Sequence, residues 1–519
     1  MKFYINKMAK DTFRLTFVSL ILQGLGIFLN SLISTKLGTA SVGIMTLIFT
    51  LFGFIMVLAN GNIFISTSRF VSEETGFGNR NYSVVMRYSL GFSLALSCFF
   101  MIASFILAEK ISVFSGGKTD LSAPIRIIAL SLPFAAIGSC IKGYFNAVRK
   151  VDIPCIGDIT EFAVKWTALL ISVVFLIDKG FDIYILIAAS ILLGEFVSLI
   201  FYIAKYASEY KDFCRLPCAK PKLDTFGKYM KLSLPILASG YVQMILSTAN
   251  DVLVPIALVK HNSSADRAMS EYGMFEAMII PTIFFPSVIL TALSNVLMPE
   301  IARANSSKSK ERVKSLVSKA LTSSFIYSFF IGGLFLCVGK DIGEIICPSD
   351  TLVGETLVKM FPVVPFIYLE IVLECILKGL GKQNFSTFNS LCEYLIRIAC
   401  VVIFVHFYGF VGVLISYYAS NIYSNIVRIF AVCKWTGIKF SLRYFILTPF
   451  AYSASSCIIA SAFTKLISPV NHLFEAVIFI CTASIAFLLF YESGKKISRN
   501  SAGFISVIIP LSEKAKKTS

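Results

Sequence analysis

Runs of about 20 apolar residues recur along the whole chain, separated by short charged stretches. A helix of that length crosses the hydrocarbon core of a bilayer, which is about 30 Å thick. The runs do not alternate apolar and polar residues, so they predict helices rather than the strands of a barrel. We predict an all-α membrane protein with about fourteen transmembrane helices. They cover approximately residues 12–36, 41–68, 84–108, 122–147, 155–177, 181–205, 228–260, 271–298, 317–339, 351–378, 385–406, 409–433, 443–465 and 470–492.

The overall composition agrees with this pattern. Of the 519 residues, 56% are hydrophobic and only 15% are charged, whereas soluble domains average about 25% charged residues. Because no long polar segment interrupts the apolar runs, a separate soluble catalytic domain is not expected.

The distribution of positive charge predicts the orientation in the membrane. The formal net charge is +17. When the N-terminus is placed in the cytoplasm, most Lys and Arg fall on cytoplasmic ends and loops, as the positive-inside rule requires. We therefore predict a multi-pass protein of the cytoplasmic membrane with both termini in the cytoplasm. The basic loops are expected to contact anionic lipids, and no nucleic-acid partner is expected.

Two stretches separated by 232 residues resemble each other without a gap. The matching residues are Pro133-Phe134 with Pro365-Phe366, Lys150 with Lys382, Glu161 with Glu393 and Lys165 with Arg397. This internal sequence similarity predicts two parallel six-helix repeats related by a pseudo-twofold axis along the membrane normal, with the binding site between them. The predicted divisions are a first bundle at 1–205, a basic cytoplasmic linker at 206–227, a second bundle at 228–433, and two extra helices with a basic tail at 434–519.

Four charged residues fall inside predicted spans at a spacing of one helical turn. Glu161 and Lys165 lie on the fifth span, and Glu393 and Arg397 lie on the eleventh. Residues four apart are neighbours on a helix, so the spacing predicts an intrahelical ion pair on each of the two spans. Such buried charge pairs either hold each half together or belong to a transport path, and the sequence leaves both interpretations open.

Polar side chains on the first span and its repeat predict a substrate cavity. Gln23 and Asn30 are seven residues apart and therefore share one face of the first span. Uncharged amides suit sugar hydroxyl groups, although they also hold helices together. The predicted cavity residues are Gln23, Asn30, Lys36, Asn250, Asp251 and Glu276.

Three acidic residues in spans are candidates for binding a coupling ion. Glu276 precedes two prolines in the eighth span, and Glu370 and Glu374 are one turn apart in the tenth. Because desolvation disfavours a charged carboxylate, a carboxyl group inside the membrane can bind and release a proton.

Two loops at corresponding cytoplasmic positions predict an inner gate. The loop SRFVSEETGFGN contains Arg69, Glu73 and Glu74, and the second half has Glu300 and Arg303 at the equivalent place. Salt bridges between such loops would close the cytoplasmic side in one conformation only.

These features together resemble a known family. The specific segments are ISTKLGTASVGIMTLIF at 33–49, RFVSEETGFGN at 69–79 and KGLGKQN at 378–384. With fourteen spans and two repeats, they resemble the polysaccharide-exporter branch of the MOP flippase superfamily over nearly the whole chain. Within that branch the likeness is greatest to the sporulation proteins related to MurJ lipid II flippases.

The resemblance implies translocation of an undecaprenyl-diphosphate-linked sugar by alternating access. In a spore former the cargo would be a peptidoglycan precursor for the spore cortex. MurJ-type flippases, however, carry arginines and an aspartate in the first span, where this chain has Gln23, Leu29 and Asn30. The charged diphosphate clamp is therefore not carried over, and Lys36 is the remaining cation of that span.

Other functions remain open on the sequence. The acidic span residues also suit a cation-coupled multidrug antiporter of the same fold, and a membrane enzyme or a scaffold in cell-wall polymer assembly is a further alternative. The chain has no Walker A motif, nucleophile elbow or HExxH motif. We therefore expect no catalytic residues, no metal and no cofactor, and a monomer that contacts a lipid-linked oligosaccharide and membrane lipids.

Overall fold

The described residues form helices throughout, with no β-strand among them. The computed structural model describes residues 2–60, 63–64, 66–68, 71, 82–114, 121–148, 150, 152–175, 179, 181–213, 223–467 and 472–500. The predicted all-α class is therefore confirmed for this part of the chain.

The described chain divides into two compact units. Unit A contains Phe17–Ala277 and Tyr394–Val413. Unit B contains the described residues up to Thr16, Met278–Glu393 and the described residues from Leu414 onward. The predicted bundles at 1–205 and 228–433, the two repeats and the tail at 434–519 stay predictions. Of the predicted linker at 206–227, residues 214–222 lie outside the described residues.

The first eight helices lie wholly or mainly in unit A. They are α1 Lys2–Leu37, α2 Thr39–Asn60, α3 Tyr82–Phe114, α4 Ser122–Ala147, α5 Asp152–Phe175, α6 Ile183–Phe213, α7 Leu223–Asn262 and α8 Ala265–Met274. A π-helical segment, Phe275–Ile279, follows α8 directly.

The later helices lie mainly in unit B. They are α9 Ile280–Phe284, α10 Val288–Ser306, α11 Lys310–Ile346, α12 Leu352–Lys359, α13 Val364–Gly379, α14 Gln383–Cys400, α15 His406–Tyr408, α16 Phe410–Thr436, α17 Thr448–Ile467 and α18 His472–Asn500. Residues Tyr394–Val413, which include the end of α14 and all of α15, belong to unit A.

Most of the long helices are apolar enough to cross a membrane. Within the described ranges, 11 helices meet this condition, or 12 if the bent pair α12 and α13 forms one span. The predicted count of fourteen stays a prediction. The other two predicted spans are α5 and α16, whose 24 and 27 residues give lengths of about 36 and 40 Å at 1.5 Å per residue. Both carry charged side chains, which lie in the first two thirds of α5 and in the last third of α16.

In unit A, α2 packs against α8 at backbone distance. A Cβ atom placed on Gly43 would overlap the carbonyl oxygen of Met269, and one placed on Gly273 would overlap the backbone nitrogen of Gly43. Small residues allow the backbones of two helices to approach this closely. Such close packing matters in membranes, because lipid gives little hydrophobic drive for helix association. These two glycines therefore fix α8 against α2.

In unit B, the long helix α11 packs against α12, α13, α17 and α18. The sequence predicts one helix over 351–378, but the structure breaks it between α12 and α13 with a bend of 62°. Proline explains the break, since Pro362 and Pro365 lack the N–H groups that a continuous helix needs.

Candidate functional site

The π-helical segment after α8 contains one predicted site residue and contacts another. Glu276 lies in the segment Phe275–Ile279. In a regular helix the carbonyl of Ala277 would accept a hydrogen bond from residue 281, but residue 281 is a proline and has no N–H. The Asn30 side chain donates to that carbonyl instead, with an Nδ2 to O distance of 2.9 Å. The α-helical donor for this carbonyl is therefore missing, and α1 supplies a donor from a side chain.

Further predicted residues of unit A gather around this segment. The Nδ2 of buried Asn250 donates to the Oδ1 of Asp251 at 3.1 Å. The Asp251 carboxyl is in electrostatic range of the Arg397 guanidinium. Asp251 and Glu276 are both in range of the buried Tyr272 hydroxyl. The structure therefore brings two predicted cavity acids and one predicted span cation into one neighbourhood.

Three amides of unit A offer hydrogen-bond acceptors that no group of the described residues uses. The side-chain carbonyl oxygens of Gln23, Asn30 and Asn250 are buried and accept no hydrogen bond from the described residues. Buried polar atoms normally have partners. Such acceptors can bind donors such as hydroxyl groups. Lys36, in contrast, is exposed in the last turn of α1, and no described contact joins it to these amides.

A second polar group of unit A surrounds the predicted pair Glu161 and Lys165. Lys142 on α4 forms an ion pair with Asp158 on α5, at 2.5 Å between Nζ and Oδ1. Glu195 on α6 is buried and lies in electrostatic range of both lysines and both other acids. The Lys165 ammonium also lies 5.8 Å from the centre of the Phe49 ring. The intrahelical pairing of Glu161 with Lys165 stays a prediction, and the structure enlarges the group to five charges.

Unit B contains the most deeply buried charge of the described chain. Arg428 on α16 has no exposed side-chain surface, and it is the largest fully buried side chain. Its Nη1 lies 2.8 Å from Oε1 of Glu370 and 3.6 Å from Oε2 of Glu393. Its Nη2 donates to the Ser390 hydroxyl at 2.9 Å. Glu393, predicted to pair with Arg397, thus has Arg428 as a described partner, and the pair with Arg397 stays a prediction.

The remaining predicted acids have separate partners. Glu374 pairs with Lys378 one turn along α13, at 2.8 Å, and both side chains are partly exposed. Glu300 of the predicted inner gate pairs with Arg303 at 2.9 Å and with Arg312 at 3.1 Å. The other gate residues, Arg69, Glu73 and Glu74, lie outside the described residues.

Unit B also contains an apolar groove of about 750 Å³. Four helices supply its walls: α11, α13, α16 and α17. Its lining is almost entirely apolar and rich in aromatic rings, including Phe329, Phe366, Phe430 and Phe450. Most ligand pockets contain a few well-placed polar groups, so a groove this uniform suits a hydrocarbon chain.

The sequence prediction misses Lys142, Asp158, Glu195 and Arg428. The distribution of positive charge alone places Arg428 at the cytoplasmic end of its span, as a topology signal. A signal for its burial does exist, because Asn421, Ser424, Asn425 and Arg428 recur every three or four residues on α16. That spacing predicts a polar stripe on an otherwise apolar helix.

Comparison with known proteins gives the family context. The family described as polysaccharide biosynthesis protein matches residues 8–305, and the family described as MatE matches residues 266–403. Stage V sporulation protein B of Bacillus subtilis (strain 168) is 22% identical over 480 residues, which cover 89% of this chain and 91% of that protein. The predicted likeness to that protein is confirmed.

Two solved structures share the fold. The lipid II flippase MurJ in an inward closed conformation gives a TM-score of 0.67 at 16% identity, covering 94% of this chain and 99% of that one. An inward-facing MATE-family multidrug resistance transporter of the MOP superfamily gives a TM-score of 0.64 at 14% identity, covering 80% and 94%. These relatives are named as a flippase and a transporter rather than as enzymes.

Proposed function

Because the chain belongs to the polysaccharide biosynthesis protein family, and is a multi-pass membrane protein with the MOP fold, we propose that it is a flippase. Its substrate is an undecaprenyl-diphosphate-linked sugar, a peptidoglycan precursor that serves the spore cortex. It moves this lipid from the inner to the outer leaflet by alternating access. The likeness to stage V sporulation protein B and to a lipid II flippase supports this choice of substrate.

The apolar groove of unit B is the observation that carries this proposal. A lipid-linked sugar needs a surface for a long hydrocarbon chain as well as one for hydroxyl groups. The groove has the volume and the apolar walls for part of a prenyl chain. The groove would bind a small polar drug weakly, because the binding energy that the groove can supply comes mainly from burial of apolar surface.

The buried amide acceptors of unit A support binding of the sugar part of the substrate. Gln23, Asn30 and Asn250 each present a buried carbonyl oxygen, which can accept hydrogen bonds from sugar hydroxyls. Lys36 is proposed to attract the diphosphate, and Asp251 and Glu276 complete the substrate cavity. This assignment follows the residues predicted from the sequence.

The remaining expectations form part of the same proposal. The chain is a monomer of the cytoplasmic membrane with both termini in the cytoplasm, and two six-helix repeats perform the rocking motion. Glu276, Glu370 and Glu374 are the candidates for binding a coupling ion. Arg69, Glu73, Glu74, Glu300 and Arg303 close the cytoplasmic side.

A transport assay with a groove-filling variant tests the proposal. The full chain is reconstituted in liposomes with fluorescently labelled lipid II, and the fraction of headgroups accessible to an external quencher is followed. We expect the protein to increase that fraction with time, and Ala454→Trp, which fills the groove, to slow the increase at least about tenfold, since it blocks a binding surface. Ala462→Trp places the same side chain at an exposed position of α17 outside the groove and should transport normally. Headgroup accessibility unchanged by the protein would overturn the proposal.

A cation-coupled multidrug antiporter is the second candidate. The MatE match over residues 266–403 and the acids around the π-helical segment favour it. In that case, the same liposomes would export a cationic dye in exchange for protons or sodium and would leave labelled lipid II unmoved.

A further inference from the structure

Two cysteines of unit B contact each other in the wall of the apolar groove. Cys337 lies on α11 and Cys457 lies on α17, and both line the groove. Their thiols are hydrogen-bonded to each other. The fold therefore brings together two sulfur atoms that are far apart in the sequence.

The contact follows from the close approach of α11 and α17. Phe329, Gly333 and Cys337 recur every four residues and therefore share one face of α11. The Ser453 hydroxyl of α17 donates to the main-chain oxygen of Phe329 at 2.8 Å. A Cβ atom placed on Gly333 would lie 3.1 Å from the Cys457 sulfur. Cys457 thus lies against the turn of α11 that precedes Cys337.

The two thiols differ in their access to solutes. Cys337 is exposed and lies three residues before Lys340, where the charged end of α11 begins. Cys457 is only 6% exposed, and the hydroxyls of Ser453 and Ser456 also contact its sulfur. Redox-active cysteine pairs often combine one accessible thiol with a second thiol that resolves the first product. Cys337 and Cys457 have this arrangement.

The positions of the two thiols suit a disulfide bond. Such a bond requires an S–S distance of about 2 Å and a Cβ–Cβ distance of about 4 Å. Thiols that already share a hydrogen bond can approach this geometry mainly by rotation of their side chains. Because α11 and α17 are already in contact at Gly333, the main chains need to move little.

We infer that Cys337 and Cys457 form a reversible disulfide bond when the protein meets a low-molecular-weight disulfide as oxidant. Cys337 gives up its proton, and its sulfur attacks one sulfur of the oxidant to form a mixed disulfide. Cys457 then gives up its proton and attacks the Cys337 sulfur, which forms the bond between α11 and α17. Each attack releases one small thiolate, which takes up the proton. The two cysteines together lose two electrons, and the oxidant is reduced to two thiols.

The bond fixes two walls of the groove to each other. In the predicted orientation, the end of α11 that carries Cys337 faces outward, and disulfides persist on that side of the membrane. The redox state of the pair then regulates the entry of a hydrocarbon chain into the groove. This regulation rests on the proposed function, but the disulfide bond itself does not.

Mass spectrometry of the oxidised full-length protein tests the bond. The purified, reduced protein is treated with dithiodipyridine, the remaining thiols are blocked with a maleimide, and the peptides are analysed without reduction. We expect a peptide that contains Cys337 to be joined to one that contains Cys457 in most molecules. Dithiothreitol should separate the two peptides.

Three variants make the assignment specific. Cys337→Ser and Cys457→Ser should each abolish the joined peptide, and Cys457→Ser should keep a pyridyl adduct on Cys337, because the resolving thiol is absent. Cys433→Ser removes a thiol that lines the same groove on α16 and should leave the joined peptide unchanged. A wild-type protein without the joined peptide, or with as much pyridyl adduct on Cys337 as the Cys457→Ser variant, would overturn the inference.

The effect on transport is measured separately in liposomes with labelled lipid II. Oxidation should slow the wild-type protein at least about fivefold, since the two helices can no longer separate to admit a chain, and dithiothreitol should restore the rate. In Cys337→Ser, the oxidised and reduced rates should be equal. Equal rates in the wild-type protein, with the joined peptide present, would exclude the regulation and leave the bond. A protein that moves no labelled lipid in either state would count against the flippase proposal instead.

Discussion

The side chain of Asn30 donates a hydrogen bond to the main-chain oxygen of Ala277, at 2.9 Å and across 247 residues of sequence. This bond ties α1 to the π-helical segment that carries Glu276. In an α-helical turn that oxygen would have no backbone donor, since Pro281 has no N–H. A predicted cavity residue therefore also has a structural role in unit A.

Replacing Asn30 by alanine should destabilise the protein by about 1–3 kcal/mol, because it leaves a buried carbonyl without a donor. Pro281→Ala restores the N–H at residue 281, so the same change should cost less in a Pro281→Ala background. Thermal unfolding of the two single variants and the double variant measures this difference. If the loss of stability is the same in both backgrounds, Asn30 does not substitute for the missing backbone donor.

Gly43→Leu should destabilise unit A, because any Cβ at this position would overlap the backbone of α8. Overpacking typically costs about 1–3 kcal/mol, and more where backbone atoms must move. The matched control is Gly91→Leu on α3, where an added Cβ would have no atom within 4 Å. Melting temperatures of the purified variants decide the matter, and equal melting temperatures would contradict the close approach of α2 and α8.

Exchange of charges should test two ion pairs that involve α5: one between Lys142 and Asp158, and one between Glu161 and Lys165. Lys142→Asp combined with Asp158→Lys should restore most of the stability lost in either single variant, because their 2.5 Å contact can form with the signs reversed. Charge reversal at both Glu161 and Lys165 should likewise be milder than either change alone if they form the predicted pair. Chemical denaturation of the four single and two double variants measures both coupling energies. A double reversal as harmful as the sum of its singles would exclude that pair.

Glu300→Gln should have a small effect on stability and a large effect on transport. The ion pairs of Glu300 with Arg303 and Arg312 are partly exposed, and such pairs contribute about 1 kcal/mol or less. If they help to close the cytoplasmic side, their loss changes the rate of lipid translocation several-fold in liposomes. Glu311→Gln, an exposed neighbour on α11, is the control. Equal transport by both variants would remove Glu300 from the inner gate.

The sequence predicts the helices well where apolar length alone defines them. The predicted helix at 122–147 coincides with α4, Ser122–Ala147. The predicted helix at 317–339 is shorter than α11, Lys310–Ile346, because hydropathy detects only the apolar part of a helix whose charged ends continue beyond it. The break between α12 and α13 depends on how two prolines are accommodated, which periodicity does not report.

The candidate site was predictable only in part. Isolated polar residues in apolar spans, such as Asn30 and Glu276, are visible in the sequence as exceptions. Which charged side chains pair with each other is not visible in the sequence, because it depends on which helices pack together. Glu161 and Glu393 are equivalent in the predicted repeat, and both lie among other charged side chains. Their neighbouring cations nevertheless come from different helices: Lys142 on α4 near the first, and Arg428 on α16 beside the second.

The apolar groove of unit B also affects how the protein behaves outside transport. An apolar hollow of about 750 Å³ among membrane helices should be filled by acyl chains of the surrounding bilayer or detergent. Whatever fills it packs against four helices and adds to their cohesion. Resistance to heat should therefore vary with the chain length of the solubilising amphiphile. A molecule that competes for the groove should change the melting temperature, and this change can be measured without a transport assay.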